Sequence, residues 1–105
     1  MLKLFFLFSF FYTKSFFITN SELGKKLFEM NCIICHPTGQ NIIIPEKNLR
    51  KDNLERIGMN SIEALTYQIS NGKNGMPAFG DRLTQNEIQD IGQYILVQSL
   101  KNFEN

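Results

Sequence analysis

Two thiols and an imidazole fall within five residues, Cys32-Ile33-Ile34-Cys35-His36. Residues three apart share one side of a helical turn, so both sulfurs and the ring that follows them can meet a single flat ligand. The spacing is the C-x-x-C-H pattern of covalent haem attachment. Cys32 and Cys35 would each add a thiol across a porphyrin vinyl group, and His36 would give a ring nitrogen to the iron. Other uses of the motif fit less well. A zinc site takes four ligands, and the chain holds two cysteines and one histidine in all. A thioredoxin-like redox pair needs a βαβ frame, and no strand pattern alternates with helices here. A disulfide between the two cysteines would close too small a loop to stabilise much.

The iron of such a haem has a second axial position. His36 is the only histidine, so a pair of imidazoles from this one chain is excluded. Of the four methionines, Met1 lies in the leader described below, and Met30 precedes the motif too closely to reach the far side of a porphyrin. Met59 falls in a bend between two helices, where capping or packing also accounts for it. Met76 follows His36 by 40 residues, in an irregular loop between Gly75 and Pro77. A thioether held there would favour reduced iron and raise its potential. It would also close the iron to other ligands, which points to electron transfer rather than catalysis. The alternative for Met76 is a core methionine filling a gap.

These residues need a scaffold, and the chain is short enough for one domain. Its 105 residues carry a net charge of +1. No attraction to nucleic acid follows from that balance. Residues 1–20 stand apart. Lys3 precedes the apolar run Leu4 to Tyr12, which is shorter than the roughly 20 residues of a membrane span and fits an export leader. No Ala-x-Ala cleavage signal follows, so an uncleaved anchor is the alternative. Without Lys3 and Lys14, nine bases face ten acids, about −1 for residues 21–105.

Within 21–105 the periodic stretches are helical. Ser21 caps a first helix that runs to about the cysteine motif, with Leu23, Leu27 and Met30 in one row and Gly24 and Phe28 in another. Pro37-Thr38-Gly39 stops it. Residues 40–48 read as a loop whose Ile42, Ile43 and Ile44 form either a pocket wall or core. A short helix follows over 49–57, with Leu54 and Ile57 inward and Gly58 as its stop. Ser61 begins the next, with the stripe Ile62, Leu65, Ile69, and Asn71-Gly72 ends it. Thr84 and Glu87 form a capping box for the last helix, lined by Ile88, Ile91 and Ile95 and continued by Tyr94 and Leu100. A helix-interior glycine costs about 1 kcal/mol relative to alanine. Gly24 with Phe28 is therefore expected to cross Gly92 with Tyr94 at close range. The tail, Lys101 to Asn105, is expected to fray.

The chain resembles the cytochrome c6 family from about Leu23 to Ser99. The resemblance rests on Asn31-Cys32-Ile33-Ile34-Cys35-His36, on Ala64-Leu65-Thr66-Tyr67-Gln68, and above all on Asn71-Gly72-Lys73-Asn74-Gly75-Met76-Pro77-Ala78-Phe79-Gly80 with Arg82-Leu83 after it. It implies an all-α class I cytochrome c fold of about four helices around one covalent haem c. It makes Met76 the axial methionine with His36 opposite, Gln68 a haem-proximal glutamine that tunes the iron, and Arg82 part of a docking surface. It also implies transient docking with the cytochrome bf complex as electron donor and photosystem I as acceptor, in a plastid thylakoid lumen. The chain departs from the family pattern at Pro37-Thr38-Gly39, at Ile44, where methionine is common, and at Asp81, whose charge would offset Arg82.

The expected activity is one-electron shuttling without enzymatic turnover. Three rivals remain at this stage: a periplasmic respiratory cytochrome c, a haem protein with an open distal site, and a colourless thiol oxidoreductase.

Overall fold

The computed structural model describes residues 22–104; the leader expected over 1–20, the Ser21 cap and Asn105 lie outside them. Among the described residues there are four α-helices: α1 over 22–31, α2 over Lys51–Arg56, α3 over Ile62–Asn71 and α4 over Gln85–Leu100. Two 3-10 turns, Pro37–Gly39 and Pro45–Lys47, interrupt the connection from α1 to α2. No strand forms among these residues, apart from one isolated antiparallel bridge between Lys73 and Met76. None of their helices is long and apolar enough to cross a membrane.

Local chemistry sets the ends of the longer helices. Ser61 Oγ accepts the Ala64 amide at 3.1 Å, relieving one of the unpaired N–H groups at the start of α3. At its end Gly72 takes φ +66, a backbone shape L side chains resist. Thr84 Oγ accepts the Glu87 amide at 3.1 Å while Glu87 Oε1 accepts the Thr84 amide at 2.8 Å, the reciprocal box expected for α4. Leu54 of α2, Leu65 and Ile69 of α3, and Ile88, Ile91 and Ile95 of α4 join Leu27, Phe28 and Phe79 in one buried cluster. Burial stabilises each such side chain by about 1.5–3 kcal/mol.

The crossing of α1 with α4 rests on Gly24, as expected. A Cβ there would collide with the Asp90 carbonyl oxygen and come within 3.3 Å of Tyr94 Cβ. The rings of Phe28 and Tyr94 pack over the junction, 5.3 Å between centroids. Gly92 is not part of it. Its missing Cβ faces α3, 3.6 Å from Thr66 Cγ2 and 3.7 Å from Leu65 Cβ. The reason is rotational: Asp90 and Tyr94 are one turn apart on one side of α4, and the residue midway between them lies about 200° around.

Two rows also differ from expectation. On α1, Gly24, Leu27 and Phe28 are buried while Leu23 is exposed and Met30 is 75% exposed. On α4, Leu100 is 70% exposed and Ser99 takes the inward place, its Oγ donating to the Leu96 carbonyl at 2.7 Å. Ser99 is the residue one turn beyond Ile95, so the stripe simply keeps its period.

The tail does not fray within the described residues. The Phe103 amide donates to the Gln98 carbonyl at 2.9 Å and the Asn102 amide to the Ser99 carbonyl at 3.1 Å, which is a Schellman closure. Asn102 and Phe103 have φ of +49 and +60. The left-handed region costs a side-chain-bearing residue about 1–2 kcal/mol. The offset comes from the Phe103 ring, which packs 5.9 Å from Phe28 and lies over Gly39.

Candidate functional site

The five-residue motif forms one more turn beyond the end of α1. The amides of Cys35 and His36 both donate to the Cys32 carbonyl, at 3.2 and 2.9 Å, so the helical sense continues through the motif. Cys32 is buried and Cys35 half-buried; both are free thiols and both line a single cavity. Burial, reinforced by the neighbouring Cys35 charge, pushes the Cys32 thiol up to about 11, the direction opposite to that of a redox or nucleophilic cysteine.

His36 lines the same cavity. Its Nδ1 lies 2.8 Å from the Gln40 carbonyl oxygen. A carbonyl can only accept, so Nδ1 carries the hydrogen and Nε2 keeps a free lone pair for a metal. Burial lowers the ring's pKa, opposed by the hydrogen bond to Gln40, and the neutral form that ligates is favoured.

Met76 is brought to the cavity by a stapled loop. Gly72 turns the chain at the end of α3, and an added Cβ would sit 2.7 Å from the Ala78 amide nitrogen. The amides of Lys73 and Met76 each donate to the other's carbonyl at 3.0 Å. Further on, the Phe79 amide donates to the Ile69 carbonyl at 2.9 Å and the Gly80 amide to the Ser70 carbonyl at 3.0 Å. Both ends of the loop are thus fixed to α3. This puts the Met76 sulfur 3.7 Å from Gln68 Nε2, which donates to it. Gln68 itself is half-buried and lines the cavity.

The cavity measures about 250 Å³. A single water needs only about 10–15 Å³ on this measure, so the space suits a much larger apolar group. Its walls include Phe28, Leu54, Leu65, Ile69, Phe79 and Ile95. Lys47 and Lys73 also line it, two cations fit for the carboxylates of a porphyrin. Among the described residues no three of His, Cys, Asp and Glu gather as they would around a bare metal ion. The donor set is instead two thiols, one imidazole nitrogen and one thioether, which is what a haem takes when the porphyrin supplies the equatorial nitrogens.

Other expected residues divide. Met59 is half-buried and lines the cavity too, so lining alone does not separate it from Met76; the loop fixation and the Gln68 contact belong to Met76. Ile44, half-buried, and Ile43, 56% exposed, line the cavity, whereas Ile42, 61% exposed, does not. Asn41 Oδ1 accepts the amides of Ile43 and Ile44 at 3.0 and 2.8 Å, and that turn sets the direction of the three side chains. The Arg82 guanidinium stands 4.4 Å above the ring of Phe79, a cavity-wall residue. The ion pair formed among the described residues joins Lys51 to Glu55, so Asp81 does not engage Arg82 directly.

Asn53 is a residue that sequence reasoning passed over. It is buried, and its Nδ2 donates to the carbonyls of Glu46 and Asn48 at 2.9 and 2.8 Å, pinning the loop that carries Lys47, Asn48 and Leu49 to the cavity. The available signal was an asparagine beside Leu54 on the inward side of a short helix.

Comparison with known proteins agrees with this geometry. The family model that matches residues 19–95 is described as cytochrome C oxidase, cbb3-type, subunit III. Cytochrome c6 of Bumilleriopsis filiformis is 51% identical over 83 residues, covering 79% of this chain and 96% of the relative. Cytochrome c6 of Pyropia yezoensis is 48% identical over 103 residues, covering 95% of this chain and 94% of the relative. Among solved structures, cytochrome c6 from the diatom Phaeodactylum tricornutum matches with a TM-score of 0.75 and 38% identity, over 78% of this chain and 97% of that one.

Proposed function

The chain belongs to the cytochrome c6 family, and from that premise we propose that it is a one-electron carrier, not an enzyme, built around one haem c bound covalently through Cys32 and Cys35. In this reading His36 and Met76 would hold its iron, with Gln68 beside the thioether. The observation that carries it is the meeting of both thiols, the His36 ring and Met76 at one cavity. When bound, the haem supplies a metal centre that gains and loses one electron at a time.

The chain's own residues do the rest. Cys32 and Cys35 hold the group in one orientation. The Gln40 carbonyl keeps the His36 tautomer with Nε2 free. The stapled 72–80 loop would hold the thioether in place, and the apolar walls would exclude water. With both side chains holding the iron, no position on it would remain open for a substrate.

The donor is the cytochrome bf complex and the acceptor photosystem I, with transient docking that involves Arg82, in a plastid thylakoid lumen or its cyanobacterial equivalent. The expected leader over 1–20 supports export. A second reading follows from the description of the matching family model, which names an oxidase subunit: a respiratory carrier in a bacterial periplasm. The test is to mix the reduced protein separately with photosystem I and with a terminal oxidase and follow its oxidation. Fast, saturable oxidation by photosystem I is expected; turnover by the oxidase alone would replace the first reading with the second.

A further inference from the structure

Phe103 belongs to no part of the site described above, yet it touches the turn that holds the imidazole. Its ring lies against Gly39 so closely that a Cβ added there would sit 2.8 Å from Cγ and 2.9 Å from Cε1. Gly39 immediately precedes Gln40, whose carbonyl accepts from His36 Nδ1 at 2.8 Å. The Gly39 amide donates to the His36 carbonyl at 3.2 Å, its carbonyl accepts from the Leu49 amide at 2.6 Å, and the Gln40 amide donates to the Pro37 carbonyl at 2.9 Å. Thr38 and Gly39 are both left-handed, at φ +48 and +78, so this turn departs from any helix that could continue it. The ring reaches it only because Asn102 and Phe103 are left-handed as well and the Schellman closure folds the tail back.

We propose that Phe103 is a positioning residue for His36: its ring holds Gly39, and through it the Gln40 carbonyl, so that the hydrogen bond at Nδ1 keeps its length and direction. The inference rests on His36 being the proximal iron ligand. A hydrogen bond from Nδ1 to a carbonyl makes the ring a stronger donor at Nε2. Stronger donation favours oxidised iron, so the contact holds the reduction potential down. Loosening it raises the potential.

The test uses the full chain with haem bound and compares wild type with Phe103→Ala, Phe103→Tyr and Tyr94→Ala. Tyr94 also packs on Phe28, at 5.3 Å, and serves as a control for lost packing at the same aromatic cluster. Phe103→Ala should shift the potential upward and speed hydrogen exchange at the Gly39 and Gln40 amides by about tenfold. Phe103→Tyr should restore both, and Tyr94→Ala should lower stability with neither change. The proposal is overturned if Phe103→Ala lowers the melting temperature yet keeps the wild-type potential and exchange, or if Tyr94→Ala moves the potential as far. Should Phe103→Ala not fold, Phe103→Leu carries the same comparison. A wild-type protein that takes up no haem would instead defeat the assignment of His36, and the two failures are read on different samples.

Discussion

Gln68 Nε2 donates to the sulfur of Met76 at 3.7 Å, eight positions along the chain. A donor on the sulfur withdraws electron density that oxidised iron needs more than reduced iron does. Gln68→Val should therefore lower the reduction potential. One hydrogen bond has a net worth of about 0.5–1.5 kcal/mol, and 59 mV corresponds to a tenfold change for one electron, so a fall of roughly 20–60 mV is expected in a redox titration.

Met76→Ala should open the axial position. The reduced protein would then bind carbon monoxide rapidly at neutral pH, and its potential should fall by at least about 60 mV, a tenfold change or more. Met59→Ala, at the other methionine of the cavity, should leave both properties as in the wild type. If carbon monoxide binds the Met59 variant and not the Met76 variant, the two residues exchange roles.

Gly24 and Gly92 should respond to alanine with opposite signs. At Gly24 the new methyl meets a backbone carbonyl that cannot turn aside; overpacking of this kind costs about 1–3 kcal/mol. The gain in helix propensity, about 1 kcal/mol, offsets part of it. Gly92→Ala meets side chains at ordinary contact distance, 3.6 Å or more, and should keep the propensity gain, up to about 1 kcal/mol. Urea unfolding of both variants decides the matter, and equal losses would mean that α4 is rotated from the position described.

The exposed Arg82 guanidinium lies over the ring of Phe79, with no direct pairing to Asp81. Arg82→Gln should slow electron transfer to photosystem I at low ionic strength. The difference should shrink as salt brings the Debye length toward 8–10 Å. A rate difference that persists unchanged in high salt would assign Arg82 a packing role on Phe79 instead.

The site was legible where the signal is local. Cys32, Cys35 and His36 declare themselves by spacing, Thr84 and Glu87 by their capping box, and Gly24 by being a glycine with an aromatic one turn away. Met76 came from elimination and from its loop. What failed was read across turns or depended on partners distant in the chain. Gly92 and Tyr94 are near in sequence, but two residues of helix turn their faces apart. Ile42, Ile43 and Ile44 have no period, so the Asn41 turn, not hydrophobicity, sorts them. The ordered tail was missed because Asn102-Phe103 reads as a Schellman ending only once the last helical residue is known. Asn53 holds carbonyls five and seven residues away, which no pattern announces.

The central claim is a porphyrin bonded to this polypeptide through Cys32 and Cys35. The most direct measurement is the intact mass of the purified protein after extraction with acidified acetone. The account predicts a coloured protein whose mass is that of the processed chain plus one haem. A colourless protein at the mass of the chain alone, with the pigment left in the acetone, would contradict it.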